Sequence, residues 1–405
     1  MVRPSANVVQ LLSPSVLPSH ATLTSVNMRV ASKLFLVMGF GYIFPYCAMM
    51  QPVDYWTTLF PNFNLVFALS CVYNVANILT FVVILWRSRT PRYSLQIVGG
   101  FAVQVVVLIL VPLSYYFLSG ESQHLVMVLT STGVLAIASS FLDSAVFSLA
   151  SLFPKGALEN VQLGIGFSNL ITATYRLVTK AMFPSHLVVE SSMMYFGVGA
   201  LTVVGGVVAY LMLKRLAIAR ETLKTAPQQQ QSFQRSLWTK ILLNEVLLAL
   251  SYLCSLLLWP GVVSNIPSYN FPSLNANGWW PLLLMALFAL SDVVGRFAAS
   301  KCRLGITRLT VWKVVLPRFA LVPLMVCAAT GHTFTHDGVS VLFVTLLGLS
   351  GGFACTLAVV VVSDCVDDSE KGATGVASAF FINLGIVLGA TLSVGLANCM
   401  GLAPL

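Results

Sequence analysis

The amino-acid sequence predicts an all-α polytopic membrane protein, and three observations carry that expectation. Of 405 residues, 57% are hydrophobic and only 9% charged. Uncharged runs of about twenty residues, the length that crosses a hydrocarbon core, recur along the whole chain. Lys and Arg gather in alternate connecting segments. A soluble domain carries about 25% charged residues, so an apolar excess of this size must face lipid.

Eleven transmembrane helices are predicted, over 34–53, 63–86, 95–118, 124–150, 160–183, 191–213, 240–260, 279–300, 310–330, 339–363 and 373–399. The plainest are the third and the tenth, since 93–120 and 338–363 contain no Asp, Glu, Lys or Arg. The fifth and eighth carry charges and are more informative. With the N-terminus placed in the cytoplasm, eighteen of the 22 Lys and Arg fall in cytoplasmic segments. The other four, Arg176, Lys180, Arg296 and Arg318, lie inside spans or at their ends, and the exterior loops hold none. The net charge of +9 then follows from topology and contact with anionic lipid; it is no sign of nucleic-acid binding. The C-terminus falls on the exterior.

The organisation follows. Residues 1–31 read as a cytoplasmic tail, because Pro14 and Pro18 interrupt the only apolar stretches and no cleaved signal peptide is expected. Residues 32–213 form a six-helix bundle and 239–405 a five-helix bundle. Between them, 214–238 is basic, contains a glutamine run at 228–231, and reads as a cytoplasmic linker.

Several chemistries are weighed and set aside. The eight cysteines are scattered without a C-x-x-C, and Cys71, Cys254, Cys327 and Cys355 sit in apolar spans where a thiol packs as a small hydrophobe. No Asn-x-Ser/Thr acceptor occurs. His332 and His336 have metal-ligand spacing, but only Asp337 accompanies them. Gly348-Leu349-Ser350-Gly351 resembles a G-x-S-G nucleophile string, yet no His follows to act as base. Gly348, Gly351 and Gly352 read instead as points of close helix approach, as do Gly385 and Gly389. No enzyme, metal or cofactor is expected. The acidic run Asp364, Asp367, Asp368 and Glu370 is expected to pair with Lys301, Arg303 or Arg308 across two cytoplasmic loops, so that Asp367, Asp368, Arg303 and Arg308 latch an inner gate.

The polar groups inside the spans point to function. An ionisable residue at membrane depth costs roughly 3 kcal/mol or more unless it is paired or faces a wet path. Asp292 and Arg296 are four residues apart in one span. Ser168, Thr172 and Arg176 make a stripe in another, with Asn169 and Lys180 beside it. Asp143 lies mid-span among Ser140, Ser144 and Ser148; Tyr73, Asn74 and Asn77 share a side of the second span, and Asn383 lies in the last. Two readings stay open at this point: a wet solute pathway, or interhelical glue in which Asp143 neutralises Arg176 and Asp292 neutralises Arg296.

Longer strings resemble a known family. Asp292-Val293-Val294-Gly295-Arg296 matches the D-x-x-G-R signature of the equilibrative nucleoside transporters. Gly39-Phe40-Gly41-Tyr42-Ile43-Phe44-Pro45 followed by Asp54-Tyr55-Trp56 is similar to that family's opening. Tyr175-Arg176-Leu177-Val178-Thr179-Lys180 resembles the L-R-x-x-T-K-A of its plant members. Trp259-Pro260, Arg318 with Pro323, 349–354 and Gly385 with Gly389 resemble its later motifs. The resemblance covers nearly the whole chain.

It implies a major-facilitator-like 6+5 fold that works by alternating access, facilitative transport of a nucleoside or nucleobase, no cofactor, and a monomer in a lipid bilayer. It implies the plasma membrane, with an intracellular membrane as the alternative. It also implies that Asp292 and Arg296 contact ribose hydroxyls, the carboxylate accepting and the guanidinium holding that carboxylate in place. The family's first-span Trp is Tyr46 here and its Asn neighbour Cys47; its fourth-span Gln is Phe147; an Asn before the eighth-span Asp is Ala289. Base hydrogen bonding is thereby stripped back while Tyr46 and Phe147 keep surface for stacking. The substrate-binding set expected from all this is Asp292, Arg296, Tyr46, Phe147, Asp143 and Arg176. Protons as a coupling partner through Asp143 or Asp292, an organic cation as the solute, and a non-transporting scaffold or receptor are the alternatives.

Overall fold

The computed structural model describes residues 20–61, 63, 65–87, 91–153, 156–184, 186–229, 235–276, 279–331 and 333–400. Most of the N-terminal tail, Lys155, His332, part of the 228–231 glutamine run and the last five residues lie outside the described set. The long helices, in chain order, are α1 His20–Met50, α2 Leu65–Arg87, α3 Tyr93–Phe117, α4 Glu121–Leu152, α5 Ala157–Met182 and α6 Val188–Arg215. They continue with α7 Arg235–Leu258, α8 Trp279–Lys301, α9 Trp312–Thr330, α10 Asp337–Ser363 and α11 Lys371–Cys399.

Ten of these are long and apolar enough to cross a membrane. The exception is α5, whose 26 residues include Asn169, Thr172, Arg176 and Lys180 in place of a continuous apolar run. Large apolar side chains such as Leu79, Leu201 and Leu243 point outward at 60%, 74% and 70% exposure, as expected where the surrounding solvent is lipid. The protein is an integral, multi-pass membrane protein.

Three boundaries differ from the sequence expectation. Helix α1 begins at His20 rather than near 34, because a helix does not stop where its apolar stretch does, and only 27–50 of it is span-like. The linker is itself largely helical, with Ala217–Gln229 packed near α1 and α6. Helix α9 is broken into Trp312–Val315, a 3₁₀ turn over Leu316–Ala320 and Leu321–Thr330. Pro317 and Pro323 lack the N–H groups that a continuous α ladder needs, and the tighter turn absorbs the loss.

Glycines set the closest helix pairs. A Cβ on Gly352 of α10 would lie 2.0 Å from the Asp292 carbonyl of α8, and one on Gly295 of α8 would lie 2.2 Å from the Leu349 carbonyl of α10. The two helices therefore touch backbone to backbone at the level of the Asp292/Arg296 pair, the mode of association that small residues permit in membranes. Gly385 and Gly389 bring α11 onto α7 in the same way.

The two ends of the bundle are unlike. At one end Arg303 meets Glu159 and Asp364, and Lys240 meets Asp367 and Glu370; we call this the basic end. At the other, Asp54 pairs with Arg176, and Ser268 and the Tyr269 amide bond Asp337. Because Glu159 and Arg176 both belong to α5, that polar helix reaches from one end to the other. Toward the basic end α4, α5, α10 and α11 are buried on nearly every side: 142–151 of α4, 161–166 of α5, 354–362 of α10 and 372–379 of α11. Farther out, each buries only one stripe, such as Ser168, Thr172, Arg176 and Thr179 on α5. The basic end is sealed and the bundle loosens toward the opposite end.

Candidate functional site

The site is built on α8. Asp292 and Arg296 lie one helical turn apart with Ser291, Gly295 and Ala299 on the buried side, while Leu290, Val294 and Phe297 on the other are about half exposed. A stripe of this kind fixes which way the charged pair faces. Arg296 Nε donates to Asp292 Oδ2 at 2.7 Å, and both residues are 4% exposed. Among the described residues, nothing donates to the second Asp292 oxygen.

The remaining Arg296 bonds leave α8 and reach α5. Its Nη1 donates to the Gln162 backbone carbonyl at 3.2 Å and to the Gln162 side-chain Oε1. The Tyr252 hydroxyl of α7 donates to the same Oε1 at 2.8 Å. Gly166, one turn along α5, makes room for the Arg296 stem: a Cβ there would sit 2.8 Å from Arg296 Cδ. The Tyr42 hydroxyl of α1 lies within electrostatic reach of Asp143, Tyr252, Tyr73 and Arg296, so these groups converge on one region.

Asp143 of α4 is 3% exposed and accepts from Asn383 Nδ2 of α11 at 2.7 Å, with its Oδ1 unpartnered. It does not neutralise Arg176, as the interhelical-glue reading had it. Arg176 donates instead to Asp54, with Ser191 and Ser192 at 3.4 Å and the Tyr195 ring beneath. Ten residues of α5 separate Arg176 from Gly166, about 15 Å at 1.5 Å per residue, so the structure does not bring Arg176 to the Asp292 pair.

The two aromatic candidates part company. Tyr46 is half-buried and packs on Tyr73 with ring centroids 4.4 Å apart. Phe147 is wholly buried, edge-on to Tyr42 at 6.3 Å, and a Cβ on Gly375 of α11 would sit 2.6 Å from its carbonyl. In this conformation Phe147 packs toward the sealed end against Tyr42.

Much of the remaining polarity is spent within the protein. Thr172 bonds the Ser168 carbonyl, Ser140 bonds the Asn77 carbonyl, and Tyr93 meets Ser148. Gln104 of α3 donates to the Tyr42 carbonyl and to Ser139. Arg318, 3% exposed, donates to Ser251 Oγ and its carbonyl, to Ser255 and to Ser350, tying α9 to α7 and α10. Ser350 of the G-x-S-G string is thus an acceptor for Arg318, and His336 caps α10 by accepting from the Gly338 amide at 3.0 Å.

The expected gate charges are rearranged. Arg303 does bridge, but to Asp364 at 2.9 Å and to Glu159 of α5 at 2.8 Å. Asp367 goes to Lys240, and Asp368 pairs with Lys371 at 2.6 Å three residues on. Among the described residues no ion pair reaches Arg308 or Lys301. Asp368 is thus paired only within its own segment, and its carboxyl is held below the usual carboxylate range by the hydrogen bond from Lys371 and by the Lys371 charge.

Three residues here were not singled out from the sequence. Glu245 of α7 is wholly buried, accepts from Ser378 at 2.8 Å and has one oxygen unpartnered. It lies inside the predicted span 240–260 and satisfied the same criterion that drew attention to Asp292. Glu159 and Gln162 sit one turn apart on α5 and were hidden by their position at the edge of a predicted span.

Known folds and sequences place this arrangement. The proton:xylose symporter XylE bound to 6-bromo-6-deoxy-D-glucose superposes with a TM-score of 0.66 at 11% identity, over 94% of this chain and 89% of that one. A bacterial homologue of the iron transporter ferroportin in an outward-facing state gives 0.63 at 15% identity, over 91% and 93%. The likeness is one of fold, that of the major facilitator superfamily to which the xylose symporter belongs. Within that class, residues 125–397 match the nucleoside transporter family, and the chain belongs to it. It is 22% identical over 373 residues to equilibrative nucleotide transporter 8 of Arabidopsis thaliana, covering 90% of this chain and 94% of the relative. Equilibrative nucleoside transporter 4 of Danio rerio is 20% identical over 436 residues, covering 88% and 81%.

Proposed function

We propose that this protein carries nucleosides, and the nucleobases within them, down their concentration gradient by alternating access. A six-helix bundle, 32–213, rocks against a five-helix bundle, 239–405, across eleven spans that include α5. The basic end faces the cytoplasm, as the distribution of Lys and Arg favours, and the conformation described above is then open to the exterior. One chain supplies both bundles, so the carrier works as a monomer.

The observation that carries the reading is the buried Asp292/Arg296 pair, which faces the other bundle at the floor of the unsealed half. A carboxylate oxygen with no donor, held in place by a guanidinium, is an acceptor poised for a sugar diol. Tyr46 and Tyr42 supply aromatic surface nearby. Polar side chains that could read a base edge are sparse, which favours broad acceptance of bases.

The test is uptake of labelled adenosine, uridine, hypoxanthine and adenine by purified protein in liposomes, with competition among them. Saturable uptake of both nucleosides, each inhibited by the other and neither by free ribose alone, is expected. Uptake of adenine and hypoxanthine without the nucleosides would overturn sugar recognition.

A second reading has its own observation. Asp143 and Glu245 are buried carboxylates, each with a free oxygen and no cation bonded to it among the described residues. Ionisable groups held at membrane depth without a cationic partner are the places where a coupled cycle takes up and releases a proton, which supports proton coupling. Imposing an inward proton gradient in the same liposomes separates the two: a plateau above the external concentration indicates symport, and an unchanged plateau indicates facilitation.

The gate makes a further prediction. Asp368→Lys is expected to leave uptake rates within about twofold, as for an exposed pair worth at most about 1 kcal/mol. Arg303→Glu, which sets like charges against Glu159 and Asp364, is expected to lower them severalfold. Initial rates at matched protein density read both.

A further inference from the structure

Helix α5 meets α8 along one seam. On α5, Glu159, Gln162 and Gly166 recur at three and four residues and so share one face; opposite them stand Arg296 on α8 and Arg303, two residues beyond that helix's last residue, Lys301. Arg303 pairs with Glu159 at the rim, and Arg296 bonds Gln162 beneath it. The rim pair is partly solvated, with the Arg303 side chain 31% exposed. The lower contact is dry: Gln162 is 0% exposed and Arg296 4%.

Gln162 is the point where three helices of the two bundles are tied. Its one side-chain oxygen accepts from Arg296 of α8 and Tyr252 of α7 together, and its backbone carbonyl accepts from Arg296 as well. Its Nε2, also buried, has no partner. An unmade amide bond in a dry site offsets part of what the other bonds contribute.

We propose that Gln162 is the latch of the basic end, and that it closes that end by occupying the Arg296 guanidinium on which the solute site depends. With the seam shut, Nη1 is given to Gln162, and a solute arriving from the opposite end meets the free oxygen of Asp292. When the seam parts, Nη1 leaves Gln162 and becomes a donor to the solute, while the Asp292/Arg296 bond within α8 persists. Gln162 is a positioning residue: it acts on the solute only through Arg296. The inference rests on the alternating-access reading and adds the element that couples the site to the gate.

The test is hydrogen exchange of the purified full-length protein in lipid nanodiscs, which needs no solute and therefore fails or succeeds independently of substrate identity. In Gln162→Leu, exchange is expected to rise about tenfold over 157–168 and 293–301, the scale on which one charge-assisted hydrogen bond shifts a two-state equilibrium. At the same time it is expected to fall over 46–60 and 259–276 at the opposite end, because opening one face closes the other. Gln162→Glu keeps the acceptor and adds a charge opposite Arg296, so it is expected to shift both sets of segments the other way. A rise at both ends in Gln162→Leu would mean simple loosening and would overturn the proposal, as would no change at either end or a Gln162→Glu variant that behaves like Gln162→Leu. Should Gln162→Leu not fold, Gln162→Met, closer in shape, carries the same predictions.

Discussion

Asp292→Ala is expected to lower saturable nucleoside uptake by about two orders of magnitude or more, with the protein still folded. Removing one member of a buried pair leaves the other charge uncompensated, which costs about 3–5 kcal/mol; here the same carboxylate is also the acceptor offered to the solute. Arg296 keeps its bonds to the Gln162 carbonyl and side chain, so the guanidinium stays partly held and the loss falls mainly on transport. Asp292→Asn separates the two contributions. The amide keeps the shape and one acceptor oxygen but not the charge, so an intermediate loss is expected. Uptake in liposomes normalised to folded protein by size-exclusion profile checks both, and wild-type rates in Asp292→Ala would show that the solute does not use this carboxylate.

Gly352→Val is expected to produce the largest loss of stability. A Cβ at that position would lie 2.0 Å from the Asp292 carbonyl and 2.9 Å from the Arg296 amide, and both neighbours are helix backbone that cannot rotate away. Overpacking a tight contact typically costs 1–3 kcal/mol, and about 3 kcal/mol or more is expected where only whole-helix movement relieves it. Because α8 must then shift off α10, transport is expected to fall with stability. Gly395, on the same kind of helix but with nothing within 4 Å of its Cβ position, is the control: Gly395→Val is expected to be tolerated. Thermal unfolding midpoints in detergent, read by loss of the monodisperse peak, test the contrast.

These two predictions show what was legible in the sequence. The Asp292/Arg296 pair announced itself because charge inside an apolar run is costly, and Gly348, Gly352, Gly385 and Gly389 because small residues at helical spacing mark close approach. The helices were equally plain, since 93–117 of α3 and 338–363 of α10 carry no Asp, Glu, Lys or Arg. What the pattern does not contain is partnership between distant segments. Asp54 is an ordinary carboxylate just past the first predicted span until α5 delivers Arg176 to it, and Asp143 and Arg176 made a sensible pair on paper until depth along the helices separated them. Phe147 aligned with a base-reading position, yet it is wholly buried, its ring edge-on to Tyr42 and its backbone carbonyl close against Gly375 of α11. Gln162 was invisible because an uncharged amide at the edge of a span carries no signal until its neighbours are known. Helix ends were read short for a simpler reason: hydropathy reports where lipid begins, whereas α1 and α4 continue as helices beyond it.

The central claim, a carrier that exposes one site alternately to two sides, is tested most directly by counterflow. Liposomes containing the protein are loaded with unlabelled adenosine at high concentration and diluted into a trace of labelled adenosine. The account predicts a transient overshoot of label above its external concentration, because the internal solute returns the site outward empty of label, and it predicts that Asp292→Ala abolishes the overshoot. A monotonic approach to equilibrium by wild type would indicate a pore, and an undiminished overshoot in Asp292→Ala would place the solute site elsewhere; either result contradicts the account.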